Sequence, residues 1–202
     1  MVRLARFTPE AFVDAAIALI AEGGPSAATI AAIARKAGAP TGSVYHRFES
    51  RAAVIATAWI GVHGDFSARI IPPLEAGDAA GAALAIGGWA RVEPMAARFL
   101  LLTEIEDLLD GPPPEPLRAR IAVQQEALDE AFRRALRAVE RPAGMTEDQA
   151  AARLRFLIFD GPLAVLRPHL LAGRAIPPYA DDLVRELHGG TARRRPTVER
   201  VA

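Results

Sequence analysis

The residues best placed to do chemistry fall between Thr29 and Phe48, TIAAIARKAGAPTGSVYHRF. Thr41, Ser43 and Tyr45 bring hydroxyl groups, His46 an imidazole and Arg47 a guanidinium. Gly42 among them allows close backbone approach by a partner. On one exposed face such donors suit phosphate oxygens and base edges. Just beyond, Ser50 can cap a helix, with Arg51 beside it, an arrangement fit to hold a phosphate.

These groups need a rigid mount, and the same segment encodes one. Thr29 caps a short helix in which Ile30, Ile33, Ala34 and Ala37 follow the i, i+3, i+4, i+7 rule. Ala34 is small where two helices would touch. Gly38, four positions later, tolerates the positive φ of a tight turn. Val44, six positions beyond the glycine, supplies a buried branched residue on the second helix, which opens at Thr41. Each match is weak alone; together they spell a helix-turn-helix, whose second helix enters the major groove of DNA.

The surrounding elements read as helices. Thr8 caps a first helix, with Pro9 at its first position and Phe7 able to staple onto Phe12; Gly23-Gly24-Pro25 ends it. A long helix is expected from about Ser50 to Ile71, stopped by Pro72-Pro73. Others are expected at Ala79–Arg91, Pro94–Leu109, Leu117–Val139 up to Arg141-Pro142, Thr146–Gly173 and Pro178–His188. Thr146 with Gln149 forms a capping box. Pro162 and Pro168 should kink or split their helix. The fold class is all-α: a helix-turn-helix domain over residues 1–50, joined by a long helix to a helical domain over 51–190. A tail over 191–202 is expected to be disordered.

The stretch from Phe7 to about Ala58 resembles the N-terminal domain of TetR/AcrR-like bacterial transcriptional regulators. The resemblance rests on Thr29-Ile30, Ala34 and Gly38, on Gly42-Ser43-Val44-Tyr45-His46-Arg47-Phe48, and on Ser50-Arg51. It implies phosphate contacts for Tyr45, His46 and Arg51, within a DNA-binding set of Thr29, Thr41, Gly42, Ser43, Tyr45, His46, Arg47 and Arg51. Thr41 stands where many members have Lys, and Pro40 where many have Ser. The resemblance further implies a homodimer, a double-stranded DNA operator, and release of that operator when a small molecule enters the C-terminal domain. A dimer would set its two reading helices about 34–36 Å apart on a pseudo-palindrome.

For the dimer face the sequence offers Phe159, Leu163, Leu166, Leu170, Leu183 and Leu187, although these could equally fill a protomer's core. For an effector site it offers Trp59, His63, Trp89, Phe99, Phe132 and Phe156, with Glu104 and His169 also on otherwise apolar helices. Trp59 and His63 lie one helical turn apart. Few Lys or Arg fall on the apolar stripes, which points to an apolar or aromatic effector.

Composition narrows the alternatives. The 202 residues have no cysteine, excluding disulfides, thiolate metal sites and cysteine catalysis. Alanine supplies 43 residues and aromatics only 6%, which favours helix over strand. Net charge is zero, so the chain is no bulk polycation. Charge is uneven, however: residues 1–51 carry +2, 52–188 carry −5 and 189–202 carry +3, with Arg193-Arg194-Arg195 in the last. No phosphate-binding glycine loop, Gly-x-Ser-x-Gly elbow or His-Glu-x-x-His occurs, and His46, His63, His169 and His188 lack metal-ligand spacing. No enzyme activity, cofactor or metal is expected. The acidic group Glu104, Glu106 and Asp107 reads as a solvated face, and Gly77-x-x-x-Gly81 as a loop with close packing.

Glu10 and Asp14 interrupt any signal-like core after Arg3 and Arg6, and no run is long enough to span a membrane. A cytoplasmic location is the expectation. Two alternatives stay open: a helical small-molecule-binding protein whose N-terminal motif is only structural, and a DNA-binding protein with no inducer.

Overall fold

A computed structural model describes residues 7–139 and 141–189, and these are helical with no strand. The expected tail from residue 191 lies outside the described residues. The helices are α1 (Pro9–Gly23), α2 (Ile30–Lys36), α3 (Thr41–Tyr45), α4 (Arg51–Glu75), α5 (Ala79–Val92), α6 (Pro94–Leu101), α7 (Ile105–Leu108), α8 (Glu115–Ala138), α9 (Glu147–Arg155), α10 (Gly161–Leu171) and α11 (Tyr179–Gly189).

Local signals set most helix starts. The hydroxyls of Thr8, Thr29 and Ser50 accept from the amides of Ala11, Ala32 and Ala53 at 3.4, 3.1 and 3.1 Å. Each satisfies one of the orphan donors of a first turn. The capping box ahead of α9 is closed in both directions, with Thr146 N–H donating to Gln149 Oε1 at 3.0 Å and Gln149 N–H to Thr146 Oγ1 at 3.2 Å.

The 25-residue α4 is the organising element, packing against α1, α5, α6 and α8. Its buried side chains include Val54, Ile55, Trp59, Phe66, Ile70 and Leu74, so apolar groups surround most of its circumference. Small residues make this possible: Ala52, Ala53, Ala56 and Ala58 are all buried and let neighbouring helices approach.

Several expected boundaries shift. Pro72 and Pro73 do not stop α4, which runs on to Glu75. The two missing donors leave only the carbonyls of Ala68 and Arg69 unmatched, on residues exposed to water, while Leu74 beyond them is held in the core at 1% exposure. The expected helix from Pro94 to Leu109 is two, broken between Leu101 and Ile105. Both Ile105 and Leu108 of the short α7 are buried, so packing redirects the chain there. α8 ends at Ala138 rather than beside Pro142. The expected helix to Gly173 is split at Pro162. Lacking an amide proton, Pro162 cannot bond the carbonyl four residues back, and the backbone over Phe156–Asp160 widens into a π turn closed by Gly161 N–H on Phe156 O. Pro168 sits inside α10 without ending it.

α10 and α11 cross closely at Gly161. A Cβ there would lie 2.7 Å from Leu187 Cδ1 and 3.0 Å from Phe156 O, so a larger residue would have to displace the leucine side chain. Arg91 fastens α11 to α5: its guanidinium donates to both carboxylate oxygens of Asp181 at 2.8 and 3.1 Å, and to the carbonyls of Ile176 and Pro177 at 3.2 Å each.

Candidate nucleic-acid interface and effector region

The helix-turn-helix follows from three contacts. Ala34 is 1% exposed against the turn, whose end is closed by Ala39 N–H on Ala34 O at 2.9 Å. Gly38 takes φ +67°, the left-handed region, where a Cβ would cost about 1–2 kcal/mol. Val44 is fully buried beneath α3. These fix the orientation of α3 and leave Thr41, Gly42, Tyr45 and His46 exposed, with Ser43 and Arg47 half-buried. Tyr45 is 59% exposed, unusual for an aromatic residue beside a packed core. Thr41 and His46 are exposed on the same short helix and its end, so Tyr45 stands on a donor-rich surface. Gly42 has open space where a Cβ would sit, so the protein's own packing does not demand glycine there. Thr29 spends its hydroxyl on the α2 cap.

Charge around this surface is distributed differently from the motif reading. Lys36 is tied to Glu22 at 3.1 Å on the surface. Arg35, exposed on α2, has no ion pair among the described residues and adds a cation the motif reading left out.

Arg51 departs from the expectation of a phosphate clamp. Its side chain is only 17% exposed and turns inward. Nε donates to Ala28 O at 2.9 Å, Nη2 to Pro25 O at 2.7 Å and Nη1 to Leu108 O at 3.2 Å, with Asp110 at 3.4 Å. The reason is local: the turn at Pro25–Ala28 and the end of α7 leave carbonyls without helical partners, and a guanidinium supplies several donors in one plane. Arg51 therefore joins the α1–α2 turn, the start of α4 and the α7 loop. In this conformation its donors are spent on the protein itself.

The expected effector residues are placed in three different settings. Trp59 and His63 stack at 4.2 Å and 18°, His63 meets Phe66 at 6.4 Å, and Phe66 meets Trp89 edge-on at 5.1 Å. Trp89 donates its indole N–H to Asp65 Oδ2 at 2.6 Å. This aromatic ladder from α4 to α5 is solidly buried, as is Phe99 at 0% exposure, and its members are one another's contacts. Phe132 is half-buried against Phe159 at 6.2 Å. Phe156 lies away from these at 48% exposure, so it is not gathered with them. Glu104, Glu106 and Asp107 are exposed to solvent.

Burial pushes the pKa of His63 below its ordinary 6.5, while Gln124 and Asp129 on α8 pull it upward by less. Ser67 Oγ lies 3.3 Å from His63 Nδ1. The native ring therefore resists protonation, whereas the unfolded ring accepts a proton near pH 6.5. The contribution of His63 is complete above that pH and is lost as pH falls through it. Urea midpoints at pH 7.5 and 5.5 should fall more for the native chain than for His63→Asn; equal falls would show that His63 carries none of the dependence.

The expected dimer residues also divide. Leu166 and Leu170 are 1% and 2% exposed and fill the protomer's own core. Phe159, Leu163 and Leu187 are half-buried, and Leu183 is 42% exposed. Periodicity marks an apolar stripe but does not say which neighbour covers it. The outward apolar groups here are Phe156, Leu171, Tyr179 and Leu183.

A cavity of about 490 Å3 opens away from the aromatic ladder, lined among others by Met95, Arg98, His169, Arg174 and Ile176. Among the described residues no helix is long and apolar enough to cross a membrane.

Comparisons with known proteins agree with this geometry. Residues 12–58 match the family model of bacterial regulatory proteins, tetR family. A comparison with curated protein sequences found no match. Among solved structures, a TetR-like transcriptional regulator from Rhodococcus sp. RHA1 superposes with a TM-score of 0.63 at 18% identity, covering 95% of this chain and 100% of that one. The transcriptional regulator FadR from Bacillus subtilis, solved in complex with stearoyl-CoA, gives 0.61 at 17% identity, covering 91% and 99%. SmeT, the repressor of the Stenotrophomonas maltophilia multidrug efflux pump SmeDEF, gives 0.56 at 19% identity, covering 92% and 90%. These similarities span nearly the whole of each chain, and the family match falls on the segment that builds the helix-turn-helix. Residues 12–58 are thus similar to the bacterial regulatory proteins of the tetR family, and the chain as a whole shares the all-helical fold of these solved regulators.

Proposed function

We propose that this chain is a homodimeric repressor that binds a pseudo-palindromic DNA operator and releases it on binding a small molecule. The observation that carries the DNA half is the exposed face of α3, where Thr41, Gly42, Tyr45 and His46 stand clear of a turn held by Ala34, Gly38 and Val44. A helix serving only the fold would gain nothing by exposing a phenol, an imidazole and a hydroxyl together. Residues 1–50 are the DNA-reading domain in this proposal, and residues 51–190 the effector and dimerisation domain. Thr41 and Ser43 read or position on bases and backbone, while Tyr45, His46, Arg47 and Arg35 hold phosphates. Thr29 contributes by capping α2, and Arg51 by holding the reading domain against the α7 loop.

The dimer half is supported by Phe156, Leu171, Tyr179 and Leu183, apolar groups left outward on the π turn between α9 and α10, on α10 and on α11. The effector half is supported by likeness to a regulator that holds stearoyl-CoA and to an efflux-pump repressor. Operator release then requires only that the effector bind two dimer geometries with different affinity.

Selecting bound duplexes from a random DNA pool at physiological salt tests the reading directly. An enriched palindrome is expected, with half-sites one helical turn apart or a multiple of it. No enrichment, with the native protein indistinguishable from Tyr45→Ala, would overturn the proposal. On the enriched duplex, Tyr45→Phe should weaken binding to every operator variant by a similar factor, because a phosphate contact carries no base information. Band-shift titrations over several variants would check this, and a loss confined to some of them would assign Tyr45 to base reading instead.

A further inference from the structure

The cavity of about 490 Å3 lies between the α5–α6 corner and the 173–176 turn after α10, within the roughly 300–1,000 Å3 range of small-molecule sites. Its walls are largely apolar: Ala90, Pro94, Met95, Leu170 and Ile176. Three arginines also line it, and no carboxylate does. Arg91 is neutralised by Asp181 and held by two carbonyls. Arg98 and Arg174 have no ion pair among the described residues. Arg98 Nε is moreover buried and lacks any hydrogen-bond partner there. Its Nη1 lies 3.1 Å from where a Cβ on Gly173 would be, and Gly173 takes φ +61° to end α10, so a glycine leaves room for the guanidinium. A buried guanidinium N–H without an acceptor is costly, and its natural complement is an anionic oxygen.

We infer that this cavity binds an amphipathic anion, with its carboxylate or phosphate head on Arg98 and Arg174 and its apolar body against Met95, Leu170 and Ile176. The head group and the apolar wall share the affinity, so a free inorganic anion, which lacks the greasy body, binds more weakly than either kind of decyl chain. His169, expected from sequence as a member of an apolar effector site, lines the same space. This inference deepens the effector half of the proposal above, yet binding itself is measured without DNA. α6, which carries Arg98, also packs against α1 of the reading domain, so occupancy has a short path to α3.

Isothermal titration of the full chain with four probes decides it: decanoate, decyl phosphate, decanol and inorganic phosphate. Decanoate, decyl phosphate or both should bind at least about tenfold tighter than decanol, as a charge-assisted hydrogen bond predicts, and inorganic phosphate should bind least. Which of the two anions wins separates the carboxylate from the phosphate head. Arg98→Met should lower the anion affinity about tenfold or more and leave decanol unchanged; Arg98→Lys should retain part of it. Met95→Glu, which places a carboxylate beside the guanidinium, should abolish anion binding, and a melting temperature near the native one shows that each variant is folded. The inference falls if decanol matches the anions, if folded Arg98→Met binds them as the native chain does, or if no probe binds. Release of the selected duplex is read separately. Binding without release supports the site and counts against the effector reading alone.

Discussion

Trp89→Ala should destabilise the protein by about 3–5 kcal/mol, the cost of emptying a large buried aromatic site. Trp89 is 1% exposed and stands where α5 meets α4. Its ring edge packs on Phe66, which continues to His63 and Trp59. A cavity at this point removes the end of that ladder, and α4 cannot close it without moving the helix that reaches the reading domain. The hydrogen bond to Asp65 is a smaller part, because Asp65 is exposed and water can replace the indole N–H. Trp89→Phe should therefore lose less than half as much. Urea unfolding followed by circular dichroism gives both numbers. A loss under about 1.5 kcal/mol for the alanine variant would mean that the site collapses, and that the ladder is not a rigid spine.

Arg51→Met is the second large effect, and it separates two roles for one residue. As an internal clasp, Arg51 satisfies the carbonyls of Pro25, Ala28 and Leu108 and faces Asp110. Losing it leaves part-buried acceptors unmatched, for about 2–4 kcal/mol of stability. DNA affinity should fall as the reading domain loosens. The slope of log affinity against log salt should stay the same, because no phosphate contact is lost. A phosphate clamp would behave in the opposite way: stability intact, and the slope reduced by about 0.9. Unfolding curves together with salt titrations on one operator distinguish the two outcomes.

A similar division runs through the chain. What the sequence determined was local. Thr8, Thr29, Ser50 and Thr146 each cap the helix that follows them, because the acceptor and the amide it serves are three positions apart. The Ala34–Gly38–Val44 spacing specifies the helix-turn-helix for the same reason: steric demand at one turn is met by residues within ten positions. The helical class follows from composition and period.

The tertiary structure decided whatever depends on a distant neighbour. Pro72 and Pro73 read as a stop, but the carbonyls they orphan belong to residues exposed to solvent, and the buried Leu74 holds the helix on course. Arg51 reads as a surface cation until Leu108, 57 positions away, presents its carbonyl. Trp59, His63, Trp89 and Phe99 read as pocket aromatics, yet α4, α5 and α6 bring them into contact with apolar neighbours and close the space between them. Arg98 carried no signal at all. One turn of helix shows an arginine. Only the fold buries its Nε without a hydrogen-bond partner and sets its Nη1 beside Gly173 at the wall of a cavity that no carboxylate lines. Local order follows from bonds of short sequence span, while burial and pairing are properties of surfaces that meet only once the chain has folded.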